Sequence, residues 1–136
     1  MKKCLIATHG RLASGFKSSL EILLGSTEGI SVIDAYLDET NFEDHLIDYL
    51  NAQNNEDQII LMSDLYGGSV NQVMSRYANS SNRILIAGVN LAFVLEVVAR
   101  GSSHISKEEI EFLVEESRKA IKIVKLEDVP LEDNFF

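Results

Sequence analysis

With 136 residues, 46% of them hydrophobic and 24% charged, the chain has the proportions of one soluble globular domain with a proper core. Its formal net charge of −9 argues against a nucleic-acid partner, because such binding relies on clustered Lys and Arg that neutralise phosphates. The longest apolar stretch, Ile84 to Leu95, is broken by Gly88 and Asn90 and falls short of the ~20 residues needed to cross a bilayer, so no direct membrane insertion is expected.

The opening Met1-Lys2-Lys3 is basic, but Leu5-Ile6-Ala7 gives way at once to His9 and Arg11. That leaves no signal-peptide apolar region, and the chain is expected in the cytoplasm. Cys4 is the sole cysteine; it excludes an internal disulfide and a Cys-rich metal site, and reads as an apolar filler of the first strand.

Short β-rich runs alternate with helical patterns. Strands are predicted near residues 2–8, 30–36, 58–63 and 83–88, each a nearly continuous apolar run of the kind that parallel strands buried on both faces carry. The first helix places Phe16, Leu20, Leu23 and Leu24 on one stripe and stops at Gly25. The second starts at Asn41 and buries Phe42, Leu46, Ile47 and Leu50. Ser69 is expected to cap the third, with Val70, Val73, Met74 and Tyr77 inward; Asn90 caps a fourth, with Leu91, Val94, Leu95 and Val98 inward. Ser106 and Glu109 form a capping box, Ile105 and Ile110 a hydrophobic staple, at the head of a fifth helix expected to run to about Ile121. Lys122 to Leu126 reads as a fifth, edge strand bearing lysines. Residues 1–127 are thus one domain of α/β type, an open and mostly parallel sheet layered with helices. Residues 128–136, ending in Phe135 and Phe136, are expected to be a mobile tail.

In such a sheet, ligands meet the loops at the carboxyl ends of the strands, particularly where strand order reverses. Those loops hold His9, Asp34 with Asp38, Asp64, and the Gly88 to Asn90 turn. If the strand order is 2-1-3-4, strands one and three are neighbours ~5 Å apart, which brings His9 and Asp64 within hydrogen-bonding range. A carboxylate that accepts the proton of one ring nitrogen fixes the tautomer and leaves the other lone pair free to attack. His9 is therefore cast as a nucleophile and Asp64 as its orienter. Gly10, and the run Gly67-Gly68-Ser69 that opens the third helix, would let the backbone approach closely and hold phosphoryl oxygens. The bland alternatives are a loop histidine bonded to backbone and a loop-capping carboxylate. His45 reads as a surface residue, His104 as a loop residue, and Asp34, Asp38 and Glu39 as a solvated loop. The histidine spacing makes no metal motif, and no nucleotide-binding loop or serine-hydrolase elbow is present, so no metal or cofactor is expected.

Three ordered blocks, Ala7-Thr8-His9-Gly10 with Ala13 and Gly15, Ser63-Asp64-Leu65-Tyr66-Gly67-Gly68-Ser69, and Ala87-Gly88-Val89-Asn90-Leu91, resemble the mannose-type enzyme IIA component of the bacterial phosphoenolpyruvate-dependent sugar phosphotransferase system. The resemblance spans nearly the whole chain. It implies that His9 accepts a phosphoryl group from the phosphohistidine of the carrier protein HPr and passes it to a IIB component, which serves a membrane IIC/IID permease. Asp64 would hold the ring, and the phosphoryl would sit on the nitrogen remote from the backbone. The implied fold is a sheet of order 2-1-3-4 with helices on both faces, plus a C-terminal antiparallel strand exchanged across a homodimer, which would account for Lys122 to Leu126. Val70 and Ala92 stand where many relatives have proline; proline there adds rigidity to a first helical turn, not chemistry. A regulatory module of the same fold, signalling sugar availability through His9 phosphorylation, is the alternative. A hydrolase using His9 and Asp64 lacks a Ser or Cys nucleophile in an elbow.

Overall fold

The computed structural model describes residues 1–128. Four strands, β1 (Lys2–His9), β2 (Ile30–Ala35), β3 (Gln58–Ser63) and β4 (Arg83–Ile86), form one parallel sheet of order β2-β1-β3-β4. Five helices alternate with and follow them: α1 (Leu12–Leu24), α2 (Phe42–Asn51), α3 (Ser69–Ser75), α4 (Leu91–Ala99) and α5 (Lys107–Lys119). The continuous apolar runs have the predicted meaning, because successive side chains of a strand point to opposite faces and both faces are covered. Cys4 and Ile6 of β1 with Ile60 and Met62 of β3 pack against α1, α4 and α5. Leu5 and Ala7 with Ile59 and Leu61 pack against Phe42, Leu46 and Leu50 of α2 and Val70 and Met74 of α3.

The predicted caps hold in most places. Asn41 accepts the Asp44 amide and Asn90 the Phe93 amide. Gly25 closes α1 in the left-handed conformation. Ser106 accepts the Glu109 amide, and Ile105 and Ile110 are both buried as a staple requires. The reciprocal half of that capping box is replaced, since the Glu109 carboxylate pairs with Arg100 at 2.7 Å. On α4 the inward stripe is rotated from the expected one: Phe93, Val94 and Val97 are buried while Leu91 is exposed. Apart from Glu96 the helix is apolar, so periodicity gave little to choose its inward face. Cys4 is buried as expected, and burial pushes its thiol up to about 11.

Lys122 to Lys125 is not a strand here; the segment is exposed and irregular, followed by a 3-10 turn at Leu126–Asp128. A β-strand exists only with a partner edge to hydrogen-bond, and within this single chain the segment pairs with none of the four strands. Residues 129–136, most of the expected tail, lie outside the described residues.

Asp57, nearly buried at the head of β3, accepts hydrogen bonds from Lys3 and from the Asn54 amide. The Lys3 ammonium, more than burial opposes it, holds this carboxyl below the usual range. A carboxyl depressed in the folded state stabilises above its unfolded pKa of about 4 and loses that contribution as pH falls through the folded value. Wild-type melting temperature should therefore drop below about pH 4, and Asp57→Asn should flatten that drop while lowering stability at pH 7; equal acid slopes for the two proteins would remove Asp57 from the acid response.

Candidate active site

Parallel pairing fixes the site. The β1–β2 register sets His9 opposite Ala35, and the β1–β3 register sets Ala7 opposite Ser63. The last residues of β1, β2 and β3 therefore reach the same rim, which brings together His9 at the end of β1, Tyr36 just past β2 and Asp64 just past β3. Asp64 Oδ2 accepts from the His9 amide at 2.9 Å and lies 2.8 Å from the ring Nδ1. Its other oxygen accepts the Leu65 amide at 3.0 Å. On the far side of the imidazole, Nε2 is 3.1 Å from Ser69 Oγ. The His9 side chain is 41% exposed and that of Asp64 8%, so an oriented ring stands open on a buried carboxylate.

Burial raises the Asp64 carboxyl, but the hydrogen bonds from the His9 amide and ring outweigh it and hold the group below its ordinary value. Asp64 is thus a carboxylate and can only accept, so Nδ1 carries the hydrogen between them, and in the neutral ring the Nε2 lone pair faces Ser69. Two neutral alternatives, a backbone-bonded loop histidine and a loop-capping carboxylate, are only half met: Asp64 does bond backbone amides, but it also takes the ring of His9.

Ser69 is not the cap of α3. Gly68 occupies that position with extended backbone, and Ser69 is the first helical residue. Its hydroxyl is spent on His9 and Tyr36. Gly67 has φ 78°, a conformation that only glycine adopts cheaply. A Cβ on Gly68 would lie 3.1 Å from Leu65 Cβ, 3.3 Å from Leu65 O and 3.6 Å from His9 Cε1. Gly68→Ala should cost roughly 1–3 kcal/mol of overpacking strain, because the atoms it crowds, Leu65 Cβ and the Leu65 carbonyl oxygen, are held by the turn backbone, which must shift to make room. The same shift should pull Ser69 from Nε2, so the variant is expected to fold normally and react slowly at His9; wild-type reactivity would show that this close approach is dispensable.

The expected anion cradle is narrower than its residues suggested. The Gly10 amide donates to Ala35 O at 2.9 Å, extending the β1–β2 pairing, and the Gly68 amide to Leu65 O at 3.1 Å, closing a turn, so neither is free for an anion. Asp34 is also not a solvated loop residue: it lies in β2 and accepts from the Ser14 amide at 3.0 Å and from the Ser14 hydroxyl, tying α1 to the sheet. Asp38, Glu39, His45 and His104 are exposed.

Tyr36 was not singled out from sequence. Its ring centroid is 5.4 Å from that of His9, and its hydroxyl is 3.0 Å from Ser69 Oγ. The position one past the end of β2 was the available signal, but it gains meaning only once β2 is known to pair with β1.

The family model for the fructose IIA component of the phosphotransferase system, of the mannose type, matches residues 3–114. The chain belongs to this family. As a member, it is a component of a sugar phosphotransferase system. Among solved structures, a candidate phosphoenolpyruvate-dependent sugar phosphotransferase system permease from Klebsiella pneumoniae subsp. pneumoniae is 22% identical, with a TM-score of 0.83 over 90% of both chains. The IIA protein associated with the fucose utilization operon of Streptococcus pneumoniae is 26% identical, with a TM-score of 0.77 over 90% of this chain and 92% of that one. The mannose/sorbose-specific IIA subunit from Enterococcus faecalis is 23% identical, with a TM-score of 0.76 over 96% of this chain and 100% of that one. The first and third of these likenesses concern the fold. No curated protein matches the sequence significantly. Among the described residues, no helix is long and apolar enough to cross a membrane.

Proposed function

We propose that this IIA component is a phosphoryl carrier: His9 accepts phosphate from phospho-HPr and passes it to a IIB component for sugar uptake and phosphorylation. The observation that carries the reading is the line Asp64 Oδ2, His9 Nδ1, His9 Nε2, Ser69 Oγ, with contacts of 2.8 and 3.1 Å at its two ends. The Nε2 lone pair attacks phosphorus as the P–N bond to the donor's histidine breaks and its electron pair returns to the donor ring. Nδ1 keeps its hydrogen, and the Asp64 carboxylate stabilises the positive ring that forms. A largely dissociative transition state asks for positioning and electrostatic support. Ser69 supplies a hydroxyl donor, and Gly67 lets the turn lie close to the phosphoryl group; Gly10 and Gly68 contribute through the turns they shape. The step requires no metal or nucleotide.

The partner is a protein because the rim is built for one. Leu12, Tyr36, Leu37, Leu65 and Tyr66 are all exposed on the loops and helix start around His9, an apolar collar suited to reversible docking. IIB in turn would hand the group to substrate at the membrane IIC/IID permease, and the carrier itself would remain in the cytoplasm. A homodimer is part of the reading: the open β4 edge borders a cleft of about 1030 Å³ lined by Ile84, Leu85, Ile86, Ile110 and Val114, which a strand formed by residues 122–126 of a second copy would fill. Incubation with labelled phosphoenolpyruvate, enzyme I and HPr should produce an acid-labile phosphate on the chain that a IIB component discharges. An unlabelled wild-type protein would overturn the proposal, and labelling with discharge to no IIB would favour the regulatory module.

A further inference from the structure

We propose that Tyr36 is a positioning residue for phosphoryl transfer, its hydroxyl fixing, through Ser69, the hydrogen that faces Nε2 of His9. The inference rests on His9 being the phosphoryl acceptor. Tyr36 has φ 67°, and among non-glycine residues of the described chain it alone has positive φ. A bulky side chain in the left-handed region is an outlier of the kind that gathers at functional sites. The conformation turns the ring over His9, tilted 43° to the imidazole, and sets its hydroxyl 3.0 Å from Ser69 Oγ.

The directions of these hydrogen bonds follow from the carboxylate end. Asp64 has no proton to give, so Nδ1–H donates to it, and in the neutral ring that attacks phosphorus Nε2 presents only a lone pair. Ser69 must then donate its single hydrogen to Nε2, across 3.1 Å. With that hydrogen spent, Ser69 Oγ can meet Tyr36 only as acceptor, and the Tyr36 hydroxyl is the donor. The result is one directed chain, Tyr36 O–H to Ser69 O–H to Nε2, in which the Ser69 hydroxyl is made a better donor by the bond it accepts from Tyr36.

During transfer the Nε2 lone pair becomes the new N–P bond while the donor's N–P electrons return to the donor ring, and no proton changes place. Ser69 thereby loses its acceptor at Nε2 and finds another in an equatorial phosphoryl oxygen beside it. Tyr36 keeps Ser69 Oγ in place through this exchange and strengthens its donation. Without the tyrosine hydroxyl, Ser69 can rotate toward water.

Single-turnover transfer of labelled phosphate from phospho-HPr tests this in wild type, Tyr36→Phe, Ser69→Ala and the double variant. Tyr36→Phe keeps the ring and should slow transfer at saturating phospho-HPr by about 3- to 10-fold, the scale of one lost hydrogen bond. The concentration giving half-maximal rate should not rise. In the Ser69→Ala background the same change should matter by less than about 2-fold, because the two residues act as one unit. A wild-type rate in Tyr36→Phe, an equal loss in both backgrounds, or a loss confined to half-saturation would each overturn the inference while leaving His9 as acceptor. A wild-type protein that takes no label would instead overturn the reading of His9, and this one with it.

Discussion

His9→Gln should leave the chain folded and unable to take an acid-labile phosphoryl group from phospho-HPr. Glutamine places an amide where the imidazole was, so the Asp64 carboxylate keeps a donor and the rim keeps most of its contacts. His9 is partly exposed and sits outside both core layers, so the stability change should not exceed about 1.5–3 kcal/mol, the scale of its hydrogen bond to the Asp64 carboxylate. The chemistry, by contrast, has no substitute. An amide nitrogen has its lone pair delocalised into the carbonyl and does not attack phosphorus, and the other two histidines lie elsewhere: His45 is exposed on α2 and His104 is exposed in the loop before α5. Neither touches an orienting carboxylate among the contacts of the described residues, so label on the variant should not exceed background. Full labelling of His9→Gln would move the acceptor to another residue and remove the proposed mechanism.

The layers of this fold were legible because its strands are buried on both faces. Leu5-Ile6-Ala7 and Ile59-Ile60-Leu61-Met62 are apolar without alternation, which only a doubly covered parallel strand needs. The four strands and five helices stand within a few residues of their expected places. Where the pattern failed, it failed for identifiable reasons. Leu91 to Ala99 carries apolar residues on every face, so no stripe could be chosen before α5 was docked against it. Asp34 has the composition of a loop residue, but a strand register makes it the anchor of Ser14. Lys122 to Leu126 has strand-like composition but pairs with neither edge strand of its own chain, and composition cannot say whether a pairing forms. The site shows the same division. His9 and Asp64 were readable because adjacent parallel strands end together. Tyr36 was not, because its part in the site depends on a backbone dihedral and on a hydroxyl meeting Ser69, and neither leaves a mark in one sequence.

Asp64→Asn should slow phosphoryl transfer by ~10²- to 10⁴-fold, the scale seen when an orienting carboxylate beside a catalytic imidazole is neutralised. The geometry explains why an isosteric amide cannot stand in. Asp64 Oδ2 accepts two hydrogens, from the His9 amide and from Nδ1, while Oδ1 accepts the Leu65 amide; all three partners require acceptors. Asparagine has one oxygen and one NH₂ group. With its oxygen toward His9, the NH₂ group faces the Leu65 amide donor to donor, in a largely buried position where an unmet polar group costs free energy. With the amide turned over, NH₂ donates to Nδ1 and drives the ring hydrogen to Nε2. The lone pair needed for attack is then gone. In either orientation the negative charge that would stabilise a positive phosphohistidine ring is lost as well. Nitrogen chemical shifts of the imidazole would report the two outcomes directly, the Nδ1–H form for the wild type and a mixture or the Nε2–H form for the variant. The same substitution should also lessen the loss of stability toward low pH, since it removes a carboxyl held below its ordinary pKa in the folded chain. An unchanged transfer rate would show that His9 orients itself without Asp64, and an unchanged tautomer with a slow rate would assign the carboxylate's effect to charge alone.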